Sequence, residues 1–164
     1  MIVRRREASD DDAIRRLNDA AFGGTAEAKL ISDLRTVGLA EVELVAAEPA
    51  DIVGHILFSP LSVTVERRAV RALALAPMAV APRRQRGGIG SALVRASLDQ
   101  AHRQHWQAVI VLGHPHFYPR FGFSVAIAAN LEAPFRGEAF MALELVPGAL
   151  AGCGRVTYPV AFGL

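Results

Sequence analysis

Leu75-Ala-Pro-Met-Ala-Val-Ala-Pro82-Arg-Arg-Gln85-Arg-Gly-Gly88-Ile-Gly90-Ser-Ala-Leu93 is the stretch on which the fold turns. An apolar run ends at Pro82, and a basic, glycine-rich turn follows. Ile89, Ala92, Leu93 and Ala96 then recur at helical spacing. A strand, a glycine turn and a helix N-terminus make an anion site. The first helical N–H groups have no partner within the helix, and the macrodipole adds partial positive charge. Gly87, Gly88 and Gly90 carry no Cβ, so a pyrophosphate can approach the backbone. Arg83, Arg84 and Arg86 add guanidinium groups suited to phosphate oxygens.

Two common phosphate loops do not fit. A dinucleotide fingerprint needs a third glycine where Leu93 stands. A nucleotide-triphosphate loop needs Gly-Lys-Ser/Thr, and the chain's lysine is Lys29. Gln85-x-x-Gly88-x-Gly90 fits neither.

Outside the turn, composition narrows the class. A chain of 164 residues, 52% hydrophobic and 21% charged, predicts one globular domain over residues 1–164. No apolar run approaches the roughly 20 residues that span a bilayer. No apolar signal segment follows the basic start, so the expected location is the cytoplasm, with no membrane partner. One cysteine, Cys153, excludes an internal disulfide framework. A net charge of +2 makes no demand for nucleic acid. The Arg4–Arg6 and Arg67–Arg71 clusters read as solvated strand edges.

In chain order, Ile2–Glu7 reads as a strand. Ser9 and Asp12 predict a capping box for a first helix burying Ile14, Leu17, Ala21 and Phe22. Thr25 opens a second helix with Glu27 in its first turn. Its apolar face is Leu30, Ile31, Leu34 and Val37, and Gly38 ends it. Val42–Ala47, Ile52–Val65 and Val70–Ala81 read as a three-strand meander, with a bulge or bend near Gly54 or Pro60. Pro77 cannot donate to a ladder, so the third of these strands should be locally unpaired. A helix to about His105, a strand over Trp106–Leu112, one or two helical turns in Phe117–Phe123 and then a strand, and further strands over Ala139–Val146 and Val156–Phe162 complete the chain. The expected class is α/β, a mixed sheet flanked by helices.

The second specific motif lies about thirty residues past the turn, in Leu112-Gly-His-Pro-His-Phe-Tyr118-Pro-Arg-Phe-Gly122-Phe123. Tyr-x-x-x-Gly-Phe after a strand, together with Gln85-x-x-Gly88-x-Gly90, resembles the GNAT superfamily of N-acetyltransferases. The longer run is similar to its YhbS-like predicted acetyltransferases. The resemblance covers nearly the whole element order and implies the GNAT-like acyl-CoA N-acyltransferase fold, with a parallel strand pair that splays apart. It implies acetyl-CoA as co-substrate, without a metal. Pantetheine would pair along Met78, Ala79 and Val80. The pyrophosphate would meet Gln85, Arg86, Gly87, Gly88, Ile89, Gly90 and Ser91.

The implied reaction moves an acetyl group directly to a primary amine of a small molecule or a peptide. The resemblance makes Tyr118 the general acid for the departing thiolate. Many family members carry an acidic base on the fourth strand, yet Leu73–Val80 contains no acid. Glu27, His55, His114 and His116 are the candidate bases, with Glu27 taken first; a base acting through a water is the equal alternative, and an amine that arrives neutral needs no strong base. His114 and His116 have no nearby acid or cysteine, a poor metal set. Phe22, Phe135, Phe140, Tyr158 and Phe162 are the candidate lining of an acceptor pocket. A non-catalytic acyl-CoA-binding module is the competing reading, and a homodimer through the C-terminal edge strands is open.

Overall fold

The apolar run ending at Val80 is a strand because it is rich in residues that suit a sheet buried on both faces. The computed structural model describes all 164 residues. The strands are β1 (Ile2–Arg5), β2 (Val42–Glu48), β3 (Asp51–Val65), β4 (Arg68–Val80), β5 (Ala108–Leu112), β6 (Leu131–Glu132), β7 (Phe140–Glu144) and β8 (Gly154–Thr157). The helices are α1 (Asp11–Phe22), α2 (Ala26–Thr36), α3 (Ile89–Arg103) and α4 (Val125–Ala128). The strands form one mixed sheet in the order β1-β2-β3-β4-β5-β7, and β8 pairs with β3 and β6. The β4–β5 pair is parallel and the β5–β7 pair antiparallel.

The chain divides into two compact units. The first holds Met1–Phe58 and Pro77–Gln100. In it β1, β2 and the start of β3 are antiparallel neighbours. The register slips at Ala46 and Ala47, which face Gly54 and Ile52, so Val53 is the extra residue of a bulge. Of the two places the sequence suggested for a bend, Gly54 and Pro60, this is the one at Gly54. A Cβ on Gly54 would lie 2.8 Å from Ile89 and 2.9 Å from Leu93, so this glycine lets α3 sit close on β3.

Ile14 and Leu17 of α1 and Ile31 and Leu34 of α2 are buried, as expected. Phe22 and Val37 are corrections. They are 46% and 62% exposed, because the chain breaks at Gly23 and Gly38, both left-handed, beside them. The capping box is also displaced. Asp10, not Asp12, accepts the backbone N–H of Glu7 at 2.8 Å, and Ala8–Asp10 form a 3-10 turn before α1. Arg4 grips the same Asp10 carboxylate with two bonds, of 2.8 and 3.0 Å.

The second unit holds Ser59–Ala76 and Ala101–Leu164. Leu61, Val63, Val70, Ile110, Phe140 and Val156 belong to its core. Glu66 and Arg67 turn β3 into β4 with φ of 47° and 65°, the mirror-image turn that matches strand twist. Neither residue favours that region. The Glu66 carboxylate, accepting the Cys153 N–H at 2.8 Å, holds the turn from outside. Where a strand was expected after the Tyr118 turn, the chain instead forms α4, because Ser124 caps it by accepting from Ala126 and Ile127. The last strand is shorter and earlier than expected. It spans Gly154–Thr157, and Val160–Phe162 form a 3-10 turn, because Pro159 has no N–H to extend a ladder.

Candidate functional site

The glycine turn and its helix lie in the first unit. Pro82–Arg84 form one 3-10 turn, Gln85 is extended, and α3 begins at Ile89. The first hydrogen bond into the helix runs from the Ala92 N–H to the Gly88 carbonyl at 3.0 Å. The N–H groups of Ile89, Gly90 and Ser91 therefore precede the helical ladder and remain available to an anion. Gly88 has φ of 87°, and a Cβ there would meet nothing within 4 Å. Its glycine is required by backbone conformation, and the space beside it is open. The Gln85 side-chain amide donates to the Val80 carbonyl at 3.2 Å and ties the turn to the strand end.

The turn's arginines divide into two groups. Arg83 lies 3.7 Å from Asp51, and Arg84 pairs with Glu48, so both are engaged by the β2–β3 hairpin. Arg86 is exposed and left-handed, with φ of 64°. A non-glycine residue in that region carries strain that persists only where the surroundings impose it. Of the three, Arg86 is the one suited to a phosphate. A cleft of about 340 Å³ next to Pro82 and Arg83 is lined by Ala13, Arg16, Leu17 and Ala20 of α1, with Asp51, Ile52 and Ala81.

The parallel register of β4 with β5 runs from Ala72↔Ala108 to Leu75↔Val111 and stops there. Pro77, without an N–H, follows two residues later, as its chemistry requires. Met78 and Val80 are half-buried and Ala79 is buried.

Tyr118 lies in the second unit and opens a 3-10 turn, Tyr118–Phe121. Gly122 ends it with φ of 103°, which explains the glycine of the Tyr-x-x-x-Gly-Phe motif. The Tyr118 ring is 5% exposed, with Phe117 and Phe123 edge-on at 5.0 and 5.6 Å. Burial pushes its hydroxyl pKa up to about 12, so it is protonated at neutral pH.

The four candidate bases are in different circumstances. Glu27 is half-buried in the first turn of α2, and its Oε2 is buried without a hydrogen-bond partner. A carboxylate oxygen left without a donor is ready to take one from a ligand. His55 is fully buried and therefore cannot meet a substrate amine. Its Nε2 is 2.8 Å from Glu43, which also binds Arg35, and Arg35 reaches Asp11 at 3.2 Å. Sequence reasoning missed this network, because residues 11, 35, 43 and 55 share no local pattern. His114 and His116 are exposed. The His114 carbonyl accepts from the Phe117 and Tyr118 N–H groups, so its backbone shapes the tyrosine turn. No group of three or more His, Cys, Asp or Glu side chains is gathered as a metal site.

The aromatic candidates separate too. Phe135, Phe140, Tyr158 and Phe162 form one cluster, with ring centroids 5.2–6.5 Å apart. Phe140 is part of the second unit's core and the other three pack on it. Phe22 belongs to the first unit and faces solvent.

Comparison with known proteins agrees with this geometry. Residues 3–126 match the model of the acetyltransferase (GNAT) domain. The chain is 34% identical to the N-acetyltransferase YhbS of Escherichia coli over 162 residues, 96% of each protein. It is 36% identical to the E. coli N-acetyltransferase YjhQ over 119 residues, 71% of this chain and 66% of that one. Among solved structures, the E. coli YhbS complex with CoA superposes with a TM-score of 0.89 at 33% identity, covering 99% of this chain and 92% of that one. A GNAT family acetyltransferase from Brucella melitensis, in complex with acetyl-CoA, superposes with a TM-score of 0.82 at 30% identity, covering 98% and 97%.

Proposed function

Because the chain belongs to the GNAT family of acetyltransferases, we propose that it transfers the acetyl group of acetyl-CoA to a primary amine of a small molecule or peptide. The observation that carries the coenzyme assignment is the start of α3. Three N–H groups precede the ladder there, the left-handed Gly88 opens the space before them, and exposed Arg86 stands beside them. The pyrophosphate is held by Gln85, Arg86, Gly87, Gly88, Ile89, Gly90 and Ser91. The pantetheine amides pair along Met78, Ala79 and Val80, as an added strand does.

The amine nitrogen attacks the thioester carbonyl carbon, and a tetrahedral oxyanion forms. A backbone N–H of Ala79 or Val80 donates to that oxygen. The C–S bond breaks, and the thiolate receives a hydrogen bond from Tyr118. With the phenol near pKa 12 and a thiol near about 8.5, complete proton transfer between them is uphill by about 5 kcal/mol. Tyr118 thus acts first as a donor that stabilises the thiolate. The ammonium proton leaves to Glu27, whose unpartnered Oε2 supports this role.

Thermal unfolding with and without acetyl-CoA tests the coenzyme site. At 100 times its dissociation constant, a native-state ligand contributes about 2.7 kcal/mol. For a chain of this size that is a rise of about 5–10 °C in midpoint. Loss of the rise in Gly88→Val supports the assignment, and no rise with the parent protein overturns it. Thiol release from acetyl-CoA across a panel of primary amines then identifies the acceptor class.

A further inference from the structure

We infer that Gly113 is a positioning residue for Tyr118, an assignment that rests on the proposed role of that hydroxyl. Gly113 follows the last residue of β5. A Cβ built on it would lie 2.3 Å from Tyr118 Cε2, 2.9 Å from Cδ2 and 3.3 Å from Cζ. The ring lies where any other side chain would begin. Turn chemistry does not account for this glycine, because its φ is outside the left-handed region that demands one. Only the ring does.

Both sides of the contact are anchored. The Gly113 N–H donates to the Ala139 carbonyl at 2.9 Å. The Phe117 and Tyr118 N–H groups donate to the His114 carbonyl at 3.1 and 3.4 Å, fixing the turn that carries the ring. Phe117 and Phe123 stand edge-on to the ring. A methyl group at residue 113 would force the ring back by more than about 1 Å to regain ordinary carbon–carbon contact. The ring is also packed edge-on by those two aromatic rings, which makes any shift of it costly. A displacement of about 1 Å at a reacting group can cost about 100-fold in rate. The bare backbone at the end of β5 thus sets where the phenol stands.

The test uses CoA itself as the probe. The ultraviolet absorbance of its thiolate is followed against pH when bound to the parent protein, Gly113→Ala, Tyr118→Phe and the double variant. A tyrosine donating to the thiolate lowers the bound thiol's pKa, and about one pH unit is expected in the parent. Tyr118→Phe should abolish the shift. Gly113→Ala should remove more than half of it, with CoA affinity unchanged at low pH where the thiol form binds and reduced above the bound pKa, and the double variant should match Tyr118→Phe. A full shift retained in Gly113→Ala overturns the inference while leaving the role of Tyr118 intact. A full shift retained in Tyr118→Phe overturns that role, and the inference with it. Should Gly113→Ala fail to fold, Gly113→Ala/Tyr118→Ala provides the check. Deleting the ring gives the methyl room, so the pair should recover a cooperative thermal transition, and its failure to do so overturns the inference.

Discussion

Replacing Glu43 by Gln should destabilise the protein by about 3 kcal/mol at pH 7 and blunt its acid sensitivity. The Glu43 side chain is 7% exposed and binds His55 at 2.8 Å and Arg35 at 2.5 Å. Burial pushes its carboxyl up, but hydrogen bonds from His55 and Arg35 outweigh that and hold it at about 2, against an ordinary 4.5. A difference of about 2.5 units is worth about 3 kcal/mol. The folded pKa is depressed, so this stability is complete above pH 4.5 and disappears as pH falls towards 2. Removing one partner of a buried pair typically costs about 3–5 kcal/mol. Arg35 keeps Asp11 at 3.2 Å, which places the substitution at the low end. His55 contributes a separate window. Burial lowers its pKa below the ordinary 6.5, Glu43 opposes that, and Arg35 and Arg6 reinforce it. The neutral ring gives its Nε2–H to Glu43, and its Nδ1 lies 3.5 Å from the Asn18 amide. Stability from His55 is therefore present above pH 6.5 and falls below it. Urea unfolding from pH 3.5 to 7.5 measures both. The parent should lose stability in two stages, below 6.5 and again below 4.5, and Glu43→Gln should show a shallower second stage, what remains coming from Asp10, whose carboxyl the Arg4 hydrogen bonds hold below its ordinary value. A cost under about 1 kcal/mol at pH 7, or an unchanged slope below pH 4.5, would refute the reasoning.

Gly54→Ala places a methyl group 2.8–2.9 Å from Ile89 and Leu93. It should cost about 1–3 kcal/mol by overpacking and weaken CoA binding, because Ile89 begins the phosphate helix. Calorimetric titration with CoA checks the second effect. Arg86→Ala should weaken CoA several-fold, and more at low salt than at high salt, because an exposed guanidinium–phosphate contact is screened. Isothermal titration at two ionic strengths reads the difference. Tyr118→Phe should lower kcat by about 100-fold or more with CoA affinity unchanged, seen in thiol release with the best amine of the panel. Gly122→Ala should destabilise by about 1 kcal/mol or more, because φ of 103° strains any side chain there. Its thermal midpoint is the readout.

Local chemistry made the phosphate turn legible. Gly88, Gly90 and the apolar spacing from Ile89 state a glycine turn entering a helix without reference to any distant residue. Pro77 announced the end of a ladder, and Gly54 a bulge, for equally local reasons. The Tyr-x-x-x-Gly-Phe run was legible only through its resemblance to the GNAT superfamily, and the structure supplied the reason for its glycine in the left-handed turn at Gly122. Phe22 and Val37 misled because periodicity continues past the point where Gly23 and Gly38 break the helices. α4 and the true extent of β8 were obscured by a serine cap and by Pro159, each acting over two or three residues. Tertiary structure alone decided that Arg83 and Arg84 face hairpin acids while Arg86 does not. It alone placed His55 in a buried network rather than at a reaction centre. It also set the Tyr118 ring against the bare backbone of Gly113. These contacts join residues whose separation in the chain follows no period. The amino-acid order therefore carries them only through the strand pairing and helix packing that bring the residues together.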